Sequence, residues 1–200
     1  MEYYVKENID VTEKVLKKKN KKQKKLNMLF ERYNNQFNFI KNYLQSNHYI
    51  LDVGCREGVF LNKLKLNGYI NTIGIDVSDI ALQVCSLKHE CYNMNLMNID
   101  SLQKFDFIIV SHVLEHIPQP NIFIDKVYEQ LNTNGFLFIE IPLQKKSKFS
   151  KRKNGHFSFF SNKNELIELL TNFKILKDET IKEAKGYDNY RLICRKITHE

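Results

Sequence analysis

From residue 49 onward, apolar runs of strand length alternate with helical stretches, and no other feature of the chain constrains its fold as much. YILDV (49–53), NTIGID (71–76), a short run near 91–95, FDFIIVS (105–111) and GFLFIEI (135–141) read as strands. Between them, residues 58–66 (with Phe60, Leu61 and Leu64), 78–87 (with Ser78 as N-cap) and 121–131 read as helices. The FDFIIVS run is continuous in hydrophobics, as a strand buried on both faces should be. Such alternation predicts an α/β fold: a doubly wound, mostly parallel, seven-stranded sheet with helices on both faces. The last strands, FKILKDE (173–179) and NYRLICRK (189–196), follow the capped helical segment SNKNELIELLTNF (161–173). No long helix separates them, which predicts an antiparallel strand near the C-terminus. Upstream, Leu26, Phe30, Tyr33, Phe37, Ile40 and Leu44 recur every three or four residues, the pattern of an amphipathic helix. Residues 1–47 are therefore expected as a basic arm and helix belonging to the same domain as the α/β unit, residues 48–200.

Ligands of an open α/β sheet sit beyond the carboxyl ends of its strands. The first such end is DVGCREG (52–58). A dinucleotide site wants G-x-G-x-x-G, whereas Gly54 and Gly58 form G-x-x-x-G; a Walker A loop wants Gly-Lys-Ser/Thr, whereas Gly58 precedes Val59 and Phe60. Asp52 stands just before the turn, where a carboxylate repels phosphate but can anchor an ammonium. Roughly 20 residues on, Asp76 ends the second strand, where a carboxylate can take both hydroxyls of a ribose. S-adenosylmethionine has an ammonium, a ribose and no phosphate.

ILDVGCREG (50–58), IGIDVSD (73–79), FDFIIVSHVLEHIP (105–118) and GHFSFFSNKNELIELL (155–170) resemble the class I, Rossmann-like S-adenosylmethionine-dependent methyltransferases. The resemblance covers roughly residues 48–196 and leans toward the branch that includes ubiquinone-biosynthesis-type O-methyltransferases. It implies S-adenosylmethionine as cofactor and a methyltransferase domain over 48–200. It further implies that Asp52, Gly54, Cys55, Arg56 and Gly58 line the methionine part and that Asp76 and Val77 meet the ribose. Asn95 and Leu96 should border the adenine, with an amide oxygen at Asn95 where the family usually has an acid. Ser111 and His112 should flank the cofactor near the methyl group. Arg56 replaces the family's central glycine, at a cost of about 1–3 kcal/mol if its φ is positive.

Methyl transfer is an in-line displacement, helped by a base when the nucleophile is a hydroxyl. Candidate bases are His112, Glu115, His116 and His156. Read as a helix, HVLEH gives His112 and His116 a common direction that Glu115 and His116 lack. No metal site is read from this cluster. His156 follows six cations, so a lowered pKa and a neutral ring suited to a base are expected. At least two of Phe157, Phe159 and Phe160 are expected in the core.

Net charge is +8, concentrated in Lys14–Lys25 and in Lys145, Lys146, Lys148, Lys151, Arg152 and Lys153. The second cluster is expected to bind an acidic or phosphorylated acceptor, a small molecule or glycan methylated on a hydroxyl. One alternative is a nucleic-acid methyltransferase, acting on RNA or DNA, that uses the N-terminal lysines as an electrostatic arm. Against it, SHVL after the fourth strand lacks the D/N-P-P-Y/F and Pro-Cys motifs of DNA methylation. A second alternative, prompted by Arg56, is a non-catalytic cofactor-binding protein. Cys55, Cys85, Cys91 and Cys194 form no C-x-x-C pair and are expected as free thiols of a reducing compartment. There is no apolar run of ~20 residues and no signal-like start, so no membrane span and a cytoplasmic location are expected.

Overall fold

The computed structural model describes residues 23–24, 27–101, 103–144, 155–182 and 188–198. All six cations of the 145–153 cluster, and all of the 14–25 cluster but Lys24, lie outside the described residues. Contacts divide the chain into two units, Met1–Phe39 and Ile40–Glu200. The described part of the first is helical, and helix α1 runs over residues 27–40. Phe37, Phe39 and Ile40 are buried, but Phe30, expected on the apolar face, is 53% exposed.

The second unit carries one seven-stranded sheet. Its strands are β1 (Ile50–Val53), β2 (Thr72–Asp76), β3 (Glu90–Asn93), β4 (Phe105–Ser111), β5 (Leu131–Leu143), β6 (Phe173–Lys182) and β7 (Asp188–Lys196). Their order is β3-β2-β1-β4-β5-β7-β6. β7 runs antiparallel to both neighbours and every other pairing is parallel. The doubly wound sheet with one reversed strand near the C-terminus is the expected architecture. Strand order reverses between β1 and β4, which opens a crevice at their carboxyl ends.

Hydrophobicity explains the placement of these strands. All four residues of β1 are buried, and Phe107–Val110 of β4 are fully so. Asp106 is tolerated in β4 because Oδ2 accepts from the Tyr49 amide at 2.9 Å and Oδ1 from Asn132 Nδ2 at 2.7 Å. β3 lies at an edge and is largely exposed, while β6, the other edge, buries chiefly Phe173.

Helices α2 (Val59–Leu66), α3 (Asp79–Cys85), α4 (Pro120–Gln130) and α5 (Lys163–Ile167) cover the sheet. α3 starts where expected, with Ser78 Oγ accepting from the Ala81 amide. α4 has Pro120 in its first turn, where a missing N–H costs nothing, and buries Phe123, Ile124 and Val127. It ends one residue earlier than expected, because Leu131 already pairs with Phe105 as the start of β5. α5 is shorter than the segment 161–173; Asn162 caps it and the Glu165 carboxylate closes back on Ser161 N–H at 2.7 Å.

Two expectations fail here. Cys85 and Cys91 form a disulfide, because the turn from α3 into β3 brings their Cα atoms to 6.4 Å; Cys55 and Cys194 are buried free thiols. Only Phe160 of the three phenylalanines is in the core, at 4% exposure, whereas Phe157 is 54% exposed and Phe159 is half-buried. Among the described residues no helix is long and apolar enough to cross a membrane.

Gly74 in β2 sets how closely the turn after β1 can approach. A Cβ there would lie 2.6 Å from Cys55 Sγ and 2.7 Å from Leu61 Cδ1. Gly74→Ala should therefore destabilise the fold by about 1–3 kcal/mol, as overpacking does. Thermal unfolding followed by circular dichroism should show a fall of roughly 2–10 °C; an unchanged midpoint would show that the turn can retreat.

Candidate active site

The turn that follows β1 carries three left-handed residues, Gly54 at φ 74°, Arg56 at φ 49° and Gly58 at φ 76°. It is held to β2 by its own amides. Gly54 and Cys55 N–H both donate to the Ile75 carbonyl, at 2.8 and 3.1 Å, and Gly58 N–H donates to the Cys55 carbonyl at 2.9 Å. At Gly54 a side chain would strike Val113 Cγ2 at 2.5 Å, so only glycine fits. Arg56 takes the positive φ that a non-glycine residue disfavours by about 1–3 kcal/mol. Its N–H donates to Asp76 Oδ2 at 2.9 Å, which offsets part of that cost. Burial first, then the nearby Asp52 and Asp76, push the Cys55 thiol far up, so it stays protonated and is no nucleophile.

Two carboxyl groups stand at the carboxyl ends of the inner strands: Asp52 is the last residue but one of β1, and Asp76 ends β2. Asp52 is 5% exposed, and burial, reinforced by Asp76, raises its pKa to about 8. Its side chain makes no hydrogen bond among the described residues. Asp76 accepts the Ser78 amide on Oδ1 at 2.8 Å and the Arg56 amide on Oδ2, leaving a lone pair on each oxygen. Val77 beside it is 71% exposed. Asn95 is exposed and its Oδ1 already accepts the Met97 amide at 3.1 Å. Leu96 is a correction: it opens the 3₁₀ segment Leu96–Ser101 with its side chain in the core at 1% exposure, so only its backbone can face a ligand. Ser111 ends β4, half-buried.

The loop after β4 is where the expected geometry changes most. HVLEH is no α-helix: His112 is left-handed at φ 54°, and a 3₁₀ turn, Leu114–His116, follows. The common direction expected of His112 and His116 is therefore lost. His112 instead lies between two acids, Nδ1 3.3 Å from Glu115 Oε1 and Nε2 3.2 Å from Glu140 Oε1. Burial pulls its pKa down, but the bonds and charges of Glu115 and Glu140 outweigh this and hold it at about 9. An imidazolium with both N–H groups so engaged accepts no proton, which removes His112 as a base.

Glu115, His116 and His156 converge instead, each offering one ligating atom within 4.8 Å of the others. His116 Nδ1 lies 3.0 Å from the Gly155 carbonyl, and its ring meets that of His156 edge-on at 4.8 Å. Among the described residues, Glu115 Oε2 is buried without a hydrogen-bond partner. The set can hold a divalent cation or pass a proton. His156 Nδ1 sits 2.7 Å from the Gln144 amide, which can donate or accept and so serves either tautomer. Its pKa is lowered as expected, but the leading cause is burial, opposed by Glu115 and aided by His116 and His112.

Glu140, 1% exposed, and Arg191, 8% exposed, belong to this site and were not among the expected residues. Their only trace in the sequence is one acid inside GFLFIEIPL and one arginine inside YRLIC.

Residues 7–176 match the family described as "Methyltransferase domain". The chain belongs to this family of S-adenosylmethionine-dependent methyltransferases. An uncharacterized protein of Methanocaldococcus jannaschii is 31% identical over 153 residues, covering 70% of this chain and 40% of its own. The ubiquinone biosynthesis O-methyltransferase of Coxiella burnetii is 29% identical over 99 residues, covering 45% of this chain and 42% of its own. The match thus spans less than half the length of these curated relatives. The N-methyltransferase NodS of Bradyrhizobium japonicum, solved with S-adenosyl-L-homocysteine, superposes with a TM-score of 0.67 at 18% identity, covering 83% of this chain and 86% of its own. That likeness is one of fold.

A buried carboxyl with no partner among the described residues makes stability depend on pH. The folded pKa of Asp52, about 8, lies above its unfolded value of 3.8, so between them the folded state binds the extra proton. That contribution is complete at low pH and is lost as pH rises toward 8. Relative to Asp52→Asn, the wild type should therefore weaken by on the order of 1 kcal/mol per pH unit from pH 5 to 7.5. Urea titrations of both proteins at four pH values would check this, and parallel curves would refute the buried neutral acid.

Proposed function

We propose that the protein transfers the methyl group of S-adenosylmethionine to a hydroxyl of an acidic or phosphorylated small molecule or glycan. The observation that carries this reading is Asp52, a buried carboxyl without a partner among the described residues, beside a Gly54 that admits no side chain. Those features suit an ammonium ion approaching a bare backbone turn. Once bound, S-adenosylmethionine supplies an electrophilic methyl group on a sulfonium sulfur.

In this reading Asp52 takes the ammonium of the cofactor, and Gly54, Cys55, Arg56 and Gly58 line its methionine part. The two remaining lone pairs of Asp76 take the ribose hydroxyls, with Val77 alongside. The Asn95 amide and the Leu96 backbone border the adenine. Ser111 and His112 close the β4 side. His156, neutral because burial lowers its pKa, takes the proton of the acceptor hydroxyl, with Glu115 and His116 in reach of the same point. Lys145, Lys146, Lys148, Lys151, Arg152 and Lys153 follow β5 in sequence and draw the anionic acceptor toward that end of the sheet. Oxygen as acceptor atom is supported by the O-methyltransferase relatives. A second reading, methylation of RNA, is favoured by the Lys14–Lys25 run. RNA binding that weakens steeply with salt would support it, and absence of RNA binding would end it.

Calorimetric titration with S-adenosylmethionine and S-adenosylhomocysteine tests the cofactor site. Wild type should bind both, and Asp76→Ala should lose at least about tenfold in affinity, since its carboxylate would make charge-assisted bonds worth roughly 1.5–3 kcal/mol. Because the Asp52 carboxyl must ionise to pair with the ammonium, binding at pH 7 should release close to one proton. The measured enthalpy should then follow the ionisation enthalpy of the buffer, and Asp52→Asn should abolish that dependence. No binding by wild type would sink the reading; binding with no proton release would remove Asp52 from it.

A further inference from the structure

Five charged side chains form a row of alternating sign from the loop after β4 to the β6 edge. Glu115 and Glu140 flank His112 at 3.3 and 3.2 Å. Arg191 on β7 stands directly opposite Glu140 on β5 and Glu179 on β6. Its Nη1 is 3.7 Å from Glu140 Oε2, its Nε donates to Glu179 Oε1 at 2.7 Å, and its Nη2 also bonds Glu179. Glu115, Glu140 and Arg191 are all buried. In such surroundings a charge is tolerated only with its partner in place, so the members of the row depend on one another.

The row ends on a backbone that needs support. His112 is left-handed, a conformation that a non-glycine residue keeps only when its neighbours impose it. Glu140 grips it twice, at the ring and through its carbonyl, which accepts the His112 N–H at 2.8 Å. The next residue, Val113, fills the space over Gly54, with Cγ2 only 2.5 Å from where a Cβ of Gly54 would lie.

We infer that Glu140, aimed by Arg191, is a positioning residue of the methyltransferase site: it clamps His112 and so seats Val113 against the glycine turn. The inference rests on the reading of that turn as the cofactor site. The charged and titratable groups that face the His112 ring are Glu115 from the 3₁₀ turn, Glu140 from β5 and His156 from the segment before α5, with Arg191 behind Glu140. Without the Glu140 carboxylate the ring loses one of its two holds, and Val113 is freed to leave the glycine turn.

The test is NMR of the full-length protein without ligand at one fixed pH, following the His112 ring nitrogens, the Val113 methyls and the Gly54 amide. In Glu140→Gln all three signals should shift together away from their wild-type positions, because the ring has lost one of its two carboxylate partners. In a His112→Gln background, adding Glu140→Gln should leave the Val113 and Gly54 signals unchanged, as expected of a residue that acts through another. Should Glu140→Gln fail to fold, Arg191→Lys, which keeps the charge but loses the fork, should shift the same three signals while preserving the fold. Val113 and Gly54 signals that stay at their wild-type positions in the folded variant, or that still shift in the His112→Gln background, would overturn the inference. Failure of wild type to bind S-adenosylhomocysteine would instead overturn the cofactor reading, and the clamp would still stand or fall on these signals.

Discussion

Asp76 holds two turns with one carboxylate, and the rest of the site depends on that double duty. Its Oδ2 takes the Arg56 amide from the turn after β1, and its Oδ1 takes the Ser78 amide at the start of α3. Two backbone segments that are remote in sequence are thus tied to a single side chain at the end of β2. The tie keeps Arg56 in a conformation it would not choose alone, and with it the left-handed residues at 54, 56 and 58 that shape the turn. The parallel pairing of β1 with β2, in which Asp52 opposes Gly74, brings the two segments close enough for this to happen.

Charge inside the site is mixed in a particular way. Asp52, Asp76, Glu115 and Glu140 gather at the carboxyl ends of the strands, and His112 and Arg191 are the cations among them. Asp52 relieves the imbalance by holding its proton, and His112 by keeping both of its own. On the reading proposed above, an acceptor would present its hydroxyl to this acid-lined interior and its anionic end to the lysines that follow β5. Such an acceptor carries opposite requirements at its two ends, which is a stronger filter than either charge alone.

What could be read from the sequence follows from which interactions are local. The strand ends at Asp52 and Asp76 were legible because an acid or a glycine where an apolar run stops has few structural explanations. The sheet, with its reversed last strand, followed from the β/α alternation and from the lack of a long helical pattern in the sequence between the sixth and seventh strands. His112 was misread because spacing by three and four presumes helical φ, and nothing in HVLEH announces a left-handed residue. The resemblance places Leu96 at the adenine, yet the 3₁₀ turn swings its side chain inward. Glu140 and Arg191 escaped because their partnership is set by register across two strands far apart in sequence. The Cys85–Cys91 bridge escaped for a related reason, since its Cα separation is decided by how sharply the chain turns from α3 into β3. His156 had the expected direction of pKa shift with a different leading cause, burial.

The reversed strand also bears on how the molecule comes together. β7 pairs with β6 across a short connection, so this antiparallel pair closes with little loss of chain entropy. β1 must instead find β4 across some quarter of the chain, with β2 and β3 formed in between. Pairings between remote segments form slowly because the entropy of closing the loop comes before the contacts that repay it. The glycine turn, suspended between β1 and β2 and roofed by Val113 from beyond β4, is complete only when those remote pairings are made. When the complete chain refolds, the local β6–β7 pair can therefore close before the glycine turn is assembled, and on the reading proposed above that late-completed turn is the part of the fold a bound cofactor would most protect.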